Sequence, residues 1–123
     1  NAGGTPNQDT FPGNPQYRIT ASEDCSCSVV LTQKNIKLDY IGIYAISIGS
    51  SNTKLKSKPR SRDICAKVKN FSNSKNCTLE FDLKRNESVI VIPCTYEVNT
   101  EGSFNIMIFV EKDFSVKIYN EQE

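Results

Sequence analysis

Five cysteines are the residues of this 123-residue chain with the most chemical potential: Cys25, Cys27, Cys65, Cys77 and Cys94. Thiolates bind zinc, or act as nucleophiles when a neighbouring base activates them. The chain contains no histidine, which excludes Ser-His-Asp and Cys-His catalytic groups and every histidine-ligated metal. One residue separates Cys25 from Cys27, whereas zinc ribbons use pairs separated by two. The commonest routes to an enzyme are therefore closed, although an enzyme of another kind remains open at this point. We predict no metal site, with a structural four-cysteine zinc site as the alternative, and we expect Cys27, Cys77 and Cys94 to be small core residues.

The carboxylates are dispersed along the chain. Calcium needs about six to eight oxygen ligands, usually from several clustered carboxylates. Here the aspartates are isolated from one another: Asp9, Asp24, Asp39, Asp63, Asp82 and Asp113. The adjacent pair Glu23 and Asp24 falls between the first two predicted strands, and we interpret it as a polar turn. We expect no calcium site built from this chain alone.

The basic residues are distributed unevenly. The net charge of the whole chain is +1, but eight basic residues and a single acidic one lie between residues 54 and 75. Five of them occupy every second position and define the basic segment: Lys54, Lys56, Lys58, Arg60 and Arg62. Side chains two positions apart lie on the same side of an extended chain. Lys67 and Lys69 point away from the core in the next predicted strand, and we predict that they continue the basic surface.

A basic surface of this kind suits two partners, an anionic membrane lipid or an acidic protein segment. Each basic residue near an anionic leaflet contributes about 1 kcal/mol, so these residues together would support reversible attachment. The alternative is a solvated loop beside an edge strand that lysines protect from aggregation. Nucleic acid is not a predicted partner, because no aromatic residues alternate with the basic ones to stack on bases.

Alternating apolar and polar residues predict the elements that position these groups. The alternation recurs in short runs from residue 15 onward, and turn-forming residues separate the runs. No stretch of ten residues shows the spacing of an amphipathic helix. About eight short strands at this length indicate an all-β fold, an antiparallel β-sandwich, with a closed barrel as the alternative. We divide the chain into a linker over residues 1–14, as in a domain cut from a larger protein, and one β-sandwich domain over residues 15–123.

Local features of the strands give further expectations. Gly42 lies within an apolar run, where we expect a bulge or a close backbone approach. The continuous apolar run Val89–Ile92 suits a central strand that ends at Pro93. Three apolar residues that alternate with polar ones are expected on one face of their strand: Ile64, Ala66 and Val68. Several aromatic residues are expected to pack in the core or at sheet edges and not to line a ligand pocket: Tyr17, Tyr44, Tyr96, Phe104 and Phe109.

Short motifs run through the chain in a defined order: Ala2–Gly4, Asp9–Phe11, Asn14–Tyr17, Val29–Lys34, Ile41–Tyr44, Val91–Glu97, Gly102–Phe104 and Ile108–Phe109. Each motif is weak alone, but the ordered series at compatible spacing is specific. The series resembles the third domain of calpains, which opens with Ala-Gly-Gly-Cys, then Thr-Phe, then Asn-Pro-Gln-Tyr or Asn-Pro-Gln-Phe. The resemblance covers nearly the whole chain and implies a C2-like β-sandwich of eight strands.

Calpains are intracellular, calcium-regulated cysteine proteases whose papain-like catalytic residues lie in a preceding core. The resemblance therefore implies a non-catalytic regulatory domain that packs on a protease core in the same chain. It also implies binding of acidic phospholipid through the basic surface, by a cytoplasmic protein that attaches peripherally to membranes. It implies no cofactor in this domain, and calcium for the parent protease.

The chain departs from the family pattern at three places. Thr5 replaces the usual Cys, and a Trp often stands in place of Pro12. The long acidic loop of the family is reduced to Glu23 and Asp24, which removes the carboxylate cluster on which calcium sensing would depend. The basic half of the family's electrostatic switch remains, from Lys54 to Lys69. A non-classical calpain without the calmodulin-like domain fits these departures.

Two other functions compete with the membrane-directing one. A protein-interaction domain would dock its basic face on an acidic surface of its own protease or of a partner, without binding lipid. A secreted adhesive sandwich would carry disulfides and glycans, and the chain contains three glycosylation sequons, which begin at Asn70, Asn76 and Asn86. That number is close to chance for a chain so rich in Asn, Ser and Thr.

Counting free thiols distinguishes an intracellular domain from a secreted adhesive sandwich. If the protein is intracellular, its cysteines are reduced. We then expect all five to react with a thiol-specific chromogenic reagent when the protein is denatured without a reductant. The same protein treated first with a reductant provides the control, and its count should be identical. A count of one thiol before reduction would support the secreted sandwich.

Overall fold

The described part of the chain forms eight strands in two antiparallel sheets in the computed structural model. The structure describes Pro6, Pro12 and residues 14–34, 40–48, 55–56, 59–68, 71, 73–95, 104–110 and 114–119. The strands are β1 (Gln16–Ala21), β2 (Cys25–Gln33), β3 (Ile41–Ser47), β4 (Ile64–Lys67), β5 (Asn76–Leu83), β6 (Ser88–Thr95), β7 (Phe104–Val110) and β8 (Phe114–Tyr119). A short 3-10 turn, Ser61–Asp63, precedes β4. Among these residues no helix has the length and apolar character needed to cross a membrane.

The two sheets differ in size. The large sheet has five strands in the order β4-β3-β6-β1-β8, and the small sheet has three in the order β5-β2-β7. Every strand pairing is antiparallel. The prediction of an antiparallel, eight-stranded, all-β sandwich is therefore confirmed.

The facing sides of the two sheets share one buried core, which we call the inner core. Along β2 every second residue is buried, as the alternating sequence predicts. The predicted core cysteines Cys27, Cys77 and Cys94 are all buried, and so is Cys25. Residues with 0% exposure lie in both sheets: Ile19, Val29, Ile43, Ala45 and Val91. Each such aliphatic side chain of Val or Ile size contributes about 1.5–3 kcal/mol by leaving water.

The opposite side of the large sheet is buried as well. Its outward-facing residues form a second cluster, the outer core, of Ile46, Ile90, Ile92 and Cys94. Half-buried side chains from the segment between β3 and β5 pack against it, among them Leu55 and Phe71. Because the central strand β6 is covered on both faces, its sequence reads as a continuous apolar run instead of an alternating one.

Pro93 lies inside β6 and does not end it, so the prediction of a strand end there is wrong. Proline has no N–H to donate to a ladder. Pro93 faces Ile43 of β3, but the Ile43 carbonyl accepts its hydrogen bond from the Val68 N–H on the other side, at 3.1 Å. The backbone groups of Pro93 therefore point toward β1, whose pairing with β6 stops at Tyr17 and Val91. No ladder bond is lost at Pro93.

A bulge in β4 overturns the predicted alternation of that strand. Ile64 pairs with Ile46 and Ala66 pairs with Ala45, which leaves Cys65 as an extra residue. Ile64 therefore packs in the outer core and Ala66 in the inner core. The prediction that these two residues share a face is wrong, because apolar spacing along one strand does not reveal an extra residue in the pairing.

Gly42 marks a close approach, one of the two predicted alternatives, and the approaching group is the side chain of Phe71. A Cβ placed on Gly42 would lie 2.9–3.0 Å from three atoms of the Phe71 ring. The same ring lies 6.1 Å from the ring of Tyr44, centroid to centroid, at an interplanar angle of 47°. Gly42 thus lets Phe71 lie flat on the large sheet and cover the outer core.

Substitution of Gly42 tests this contact. We expect Gly42→Ala to lower the free energy of unfolding by about 1–3 kcal/mol, because the added methyl group overpacks the Phe71 ring. In a Phe71→Ala background the same change should be neutral or stabilising by about 0.5–1 kcal/mol, since alanine loses less backbone entropy than glycine on folding. Urea unfolding of the four proteins measures both costs. Equal costs in the two backgrounds would contradict the proposed contact.

Candidate functional site

Part of the basic segment is placed by the structure. Lys56, Arg60 and Arg62 are exposed, whereas Leu55 and Pro59 are half-buried. The basic side chains therefore face water while their apolar neighbours face the protein. The other predicted basic residues fall into two groups: Lys67 is exposed on β4, and Lys54, Lys58 and Lys69 lie outside the described residues.

The start of the basic segment is held by the side chain of Gln16 on β1. The Leu55 N–H donates to Gln16 Oε1 at 2.7 Å, and Gln16 Nε2 donates to the Leu55 carbonyl at 2.9 Å. Gln16 Nε2 also donates to the Pro12 carbonyl at 2.8 Å. Gln16 is only 1% exposed, its bond to Pro12 is buried and its bonds to Leu55 are partly buried, so leaving its amide unpaired would be costly. One buried amide thereby ties Pro12, β1 and the basic segment together.

Sequence reasoning missed this role of Gln16. The residue belongs to the motif Asn14–Tyr17, but its type alone names no partner. Leu55 is 39 residues away along the chain, and the backbone of any residue can accept and donate the same bonds. The sequence contained one usable signal. Gln16 lies on the same side of β1 as Arg18 and Thr20, whereas the neighbouring strand β6 carries apolar residues on that side.

The 3-10 turn before β4 orients Arg60. The Arg60 Nε and backbone N–H both donate to Asp63 Oδ2, at 3.2 and 3.3 Å, and the Asp63 N–H donates back to the Arg60 carbonyl at 2.9 Å. The side-chain hydrogen bond from Arg60, with a smaller contribution from Arg62, lowers the pKa of the Asp63 carboxyl. Asp63 is therefore ionised at neutral pH and offsets part of the local positive charge.

Two further basic residues and a tyrosine lie on the outer side of the large sheet. Lys67 pairs with Tyr44, whose side chain packs on the outer core, so the β4 bulge brings Lys67 to that side. Arg18, a basic residue that sequence reasoning did not single out, is half-buried on β1 and donates from Nη2 to Ser88 Oγ at 3.3 Å. Burial, and to a smaller extent Cys94, raises the pKa of Tyr44 to about 12, so its phenol stays neutral.

The reduced acidic loop is a structural turn. Glu23 and Asp24 are both exposed in the bend between β1 and β2. Asp24 Oδ1 accepts a hydrogen bond from the Arg85 N–H at 2.7 Å, which joins this bend to the turn between β5 and β6. That turn contains Asn86 at a φ of 64°, a left-handed conformation that asparagine tolerates. Within the described residues, no three His, Cys, Asp or Glu side chains group in a way that could hold a metal ion.

The five cysteines, all in the described part of the chain, are free thiols. Burial, with a contribution from Cys25, raises the pKa of Cys27 to about 11, and burial also raises the pKa of Cys94. Such thiols stay protonated at neutral pH and are poor nucleophiles. The exposed Cys65 donates from Sγ to the Ala45 carbonyl at 3.3 Å, beside the β4 bulge.

Removing the Gln16 amide should release the basic segment. We expect Gln16→Leu to lower the free energy of unfolding by about 2–4 kcal/mol, because backbone groups of Leu55 and Pro12 lose their buried partner. We also expect the Leu55 amide hydrogen to exchange much faster with solvent. Urea unfolding and hydrogen exchange measure the two effects.

Gln33→Leu is the matched control. Gln33 is a second buried glutamine, 3% exposed, and its Nε2 donates to the Ser74 carbonyl at 2.9 Å. Its loss should also destabilise the domain but leave local exchange at Leu55 slow. Equal acceleration at Leu55 in both variants would show that Gln16 acts only through global stability.

Comparisons with known proteins agree with the fold and the motifs. The chain matches the family model of the calpain large subunit, domain III, over residues 1–109. It is 31% identical to a calpain-like cysteine protease A of Dictyostelium discoideum over 113 residues, and 33% identical to human Calpain-9 over 127 residues. It is 32% identical to Calpain-A of Drosophila melanogaster over an alignment of 131 positions. These alignments cover 89–90% of the chain but 16–18% of each relative's length. The chain therefore belongs to the calpain large subunit domain III family.

Proposed function

We propose that this chain is the regulatory domain of a calpain-like intracellular cysteine protease, and that its basic segment directs the protease to acidic phospholipid. The observation that carries the proposal is the attachment of the segment at Leu55. Gln16 and the outer core hold the inward side of the segment, so Lys56, Arg60 and Arg62 are left facing water. The protease core in the same chain is the second proposed partner.

Family membership makes the domain itself non-catalytic, because the catalytic activity of calpains lies in a separate protease domain. The neutral, buried thiols of Cys27 and Cys94 are consistent with that assignment. We assign any calcium requirement to the parent protease, since this domain's reduced acidic loop uses Asp24 to join two turns. A cytoplasmic location with peripheral attachment to membranes completes the proposal.

Attachment of the segment supports lipid binding for an energetic reason. A basic residue near an anionic leaflet gains about 1 kcal/mol from the surface potential. In a free loop, the conformational entropy lost when the backbone is ordered, about 1–2 kcal/mol for each residue, would offset much of that gain. Here folding has already immobilised Leu55 and the turn at Ser61–Asp63, so less of the electrostatic gain is lost on binding.

Liposome sedimentation tests the proposal. The domain should bind vesicles that contain phosphatidylserine or phosphoinositide and should not bind phosphatidylcholine vesicles. Binding should weaken as the salt concentration rises past about 0.15 M, because screening shortens the range of the attraction. A triple variant, Lys56→Glu, Arg60→Glu and Arg62→Glu, should lose binding.

A second triple variant provides a control of equal charge change. Lys34, Lys75 and Lys84 are exposed at the ends of β2 and β5, in the small sheet, and their replacement by Glu should leave most of the binding. Equal loss in both variants would show that net charge alone matters. Failure of the unmodified domain to bind vesicles, together with a salt-sensitive complex with the purified protease core, would favour the protein-docking alternative.

A further inference from the structure

We infer that the outward face of the small sheet binds an arginine or lysine side chain of a protein partner, in a groove that runs along β2. This inference goes beyond the proposed function and is independent of it. The groove lies on the small sheet, whereas the basic segment is attached to the large one. Its lining includes the floor residues Ser26 and Ser28, the acidic wall Glu80 and Asp82 on β5, and Phe109 on β7. Met107 pairs with Val30 beyond the end of this lining, and we count it with Phe109 as the apolar wall.

Strand register places the two walls. Ser28 pairs with Glu80 on one side and with Phe109 on the other, so the three side chains form one row across the sheet. Neighbouring strands are about 4.8 Å apart, which puts the two walls about 10 Å from each other. Serine is small, so the middle of the row is a depression between a carboxylate and an aromatic ring.

The apolar wall is exposed. Phe109 is 54% exposed and Met107 is 49% exposed, and both point outward from β7 next to the half-buried Val30. The sequence-based expectation that Phe109 packs in the core or at a sheet edge is met only in part, since β7 is an edge strand but the ring faces water. Two adjacent large apolar side chains in this position favour a partner that covers them.

The acidic wall gives the groove its charge preference. Glu80 and Asp82 are both exposed, and Asp82 Oδ1 accepts a hydrogen bond from Ser26 Oγ at 2.9 Å. Lys84, an exposed basic residue two positions after Asp82, lies just beyond the end of β5. The row at Ser28 therefore presents negative charge at one wall and an apolar surface at the other.

An arginine or lysine side chain matches both walls. Its aliphatic stem is apolar and packs on rings and thioethers, while its charged head seeks carboxylates. The cation is also attracted to the electron-rich face of an aromatic ring such as that of Phe109. A carboxylate-bearing or purely aliphatic side chain would satisfy one wall at most. The chemistry of the groove thus selects a protein segment with basic side chains.

Titration with a short peptide tests the inference. In an extended peptide Ser-Arg-Ile-Arg-Ser both arginines lie on one side and can enter the groove together. Monitored by amide chemical shifts, it should give saturable changes at Ser28, Glu80 and Phe109, with an affinity on the order of millimolar. The peptide Ser-Glu-Ile-Glu-Ser should give none. Absence of saturable changes with the arginine peptide, or equal changes with both peptides, would overturn the inference.

Three variants locate the binding. Glu80→Gln and Phe109→Thr should each weaken the arginine peptide about fivefold, and both residues are exposed enough for the domain to keep its fold. Glu23→Gln removes another exposed carboxylate, from a turn outside the groove, and should leave the affinity unchanged. Unchanged binding in both groove variants would overturn the inference. So would concentration-dependent self-association that Glu80→Gln abolishes, because a second copy would then be the occupant.

Discussion

The structure depends on the burial of the large sheet on both faces. Its central strand β6 carries apolar side chains on each side, and Ile90, Val91 and Ile92 are all 0% exposed. The small sheet covers the inner side, so a different part of the chain must cover the outer side. Leu55 and Phe71, from the segment between β3 and β5, pack there. An apolar side chain left uncovered would forfeit about 1.5–3 kcal/mol.

That requirement attaches an otherwise polar, charge-rich segment to the sandwich. Leu55 has its side chain on the outer core and both of its backbone groups on Gln16. Leu55 and Pro59 are half-buried, so the described basic side chains Lys56 and Arg60 have only the solvent side available. Lys56 and Arg60 are therefore both exposed on the solvent side of the segment. In a free loop the same spacing of basic residues would not fix the direction of their side chains.

The two sheets consequently offer different surfaces. The large sheet carries the basic segment and Lys67, and the small sheet carries two carboxylates beside an exposed aromatic ring. A calpain domain III with this arrangement needs no chemistry of its own to act in a protease. The two proposals assign a different partner to each side, a phosphate-bearing surface to the large sheet and a basic protein segment to the small one.

The sequence by itself determined the fold class, the inner core and the family, because alternating apolar residues and ordered motifs depend on local spacing along each strand. It also located Gly42 as a close approach and β6 as a central strand. Only the tertiary structure decided the β4 bulge at Cys65, the passage of β6 through Pro93 and the partnership of Gln16 with Leu55. Each of these depends on which strand or backbone lies opposite, and pairing between segments far apart in the chain leaves no periodic signal in either one.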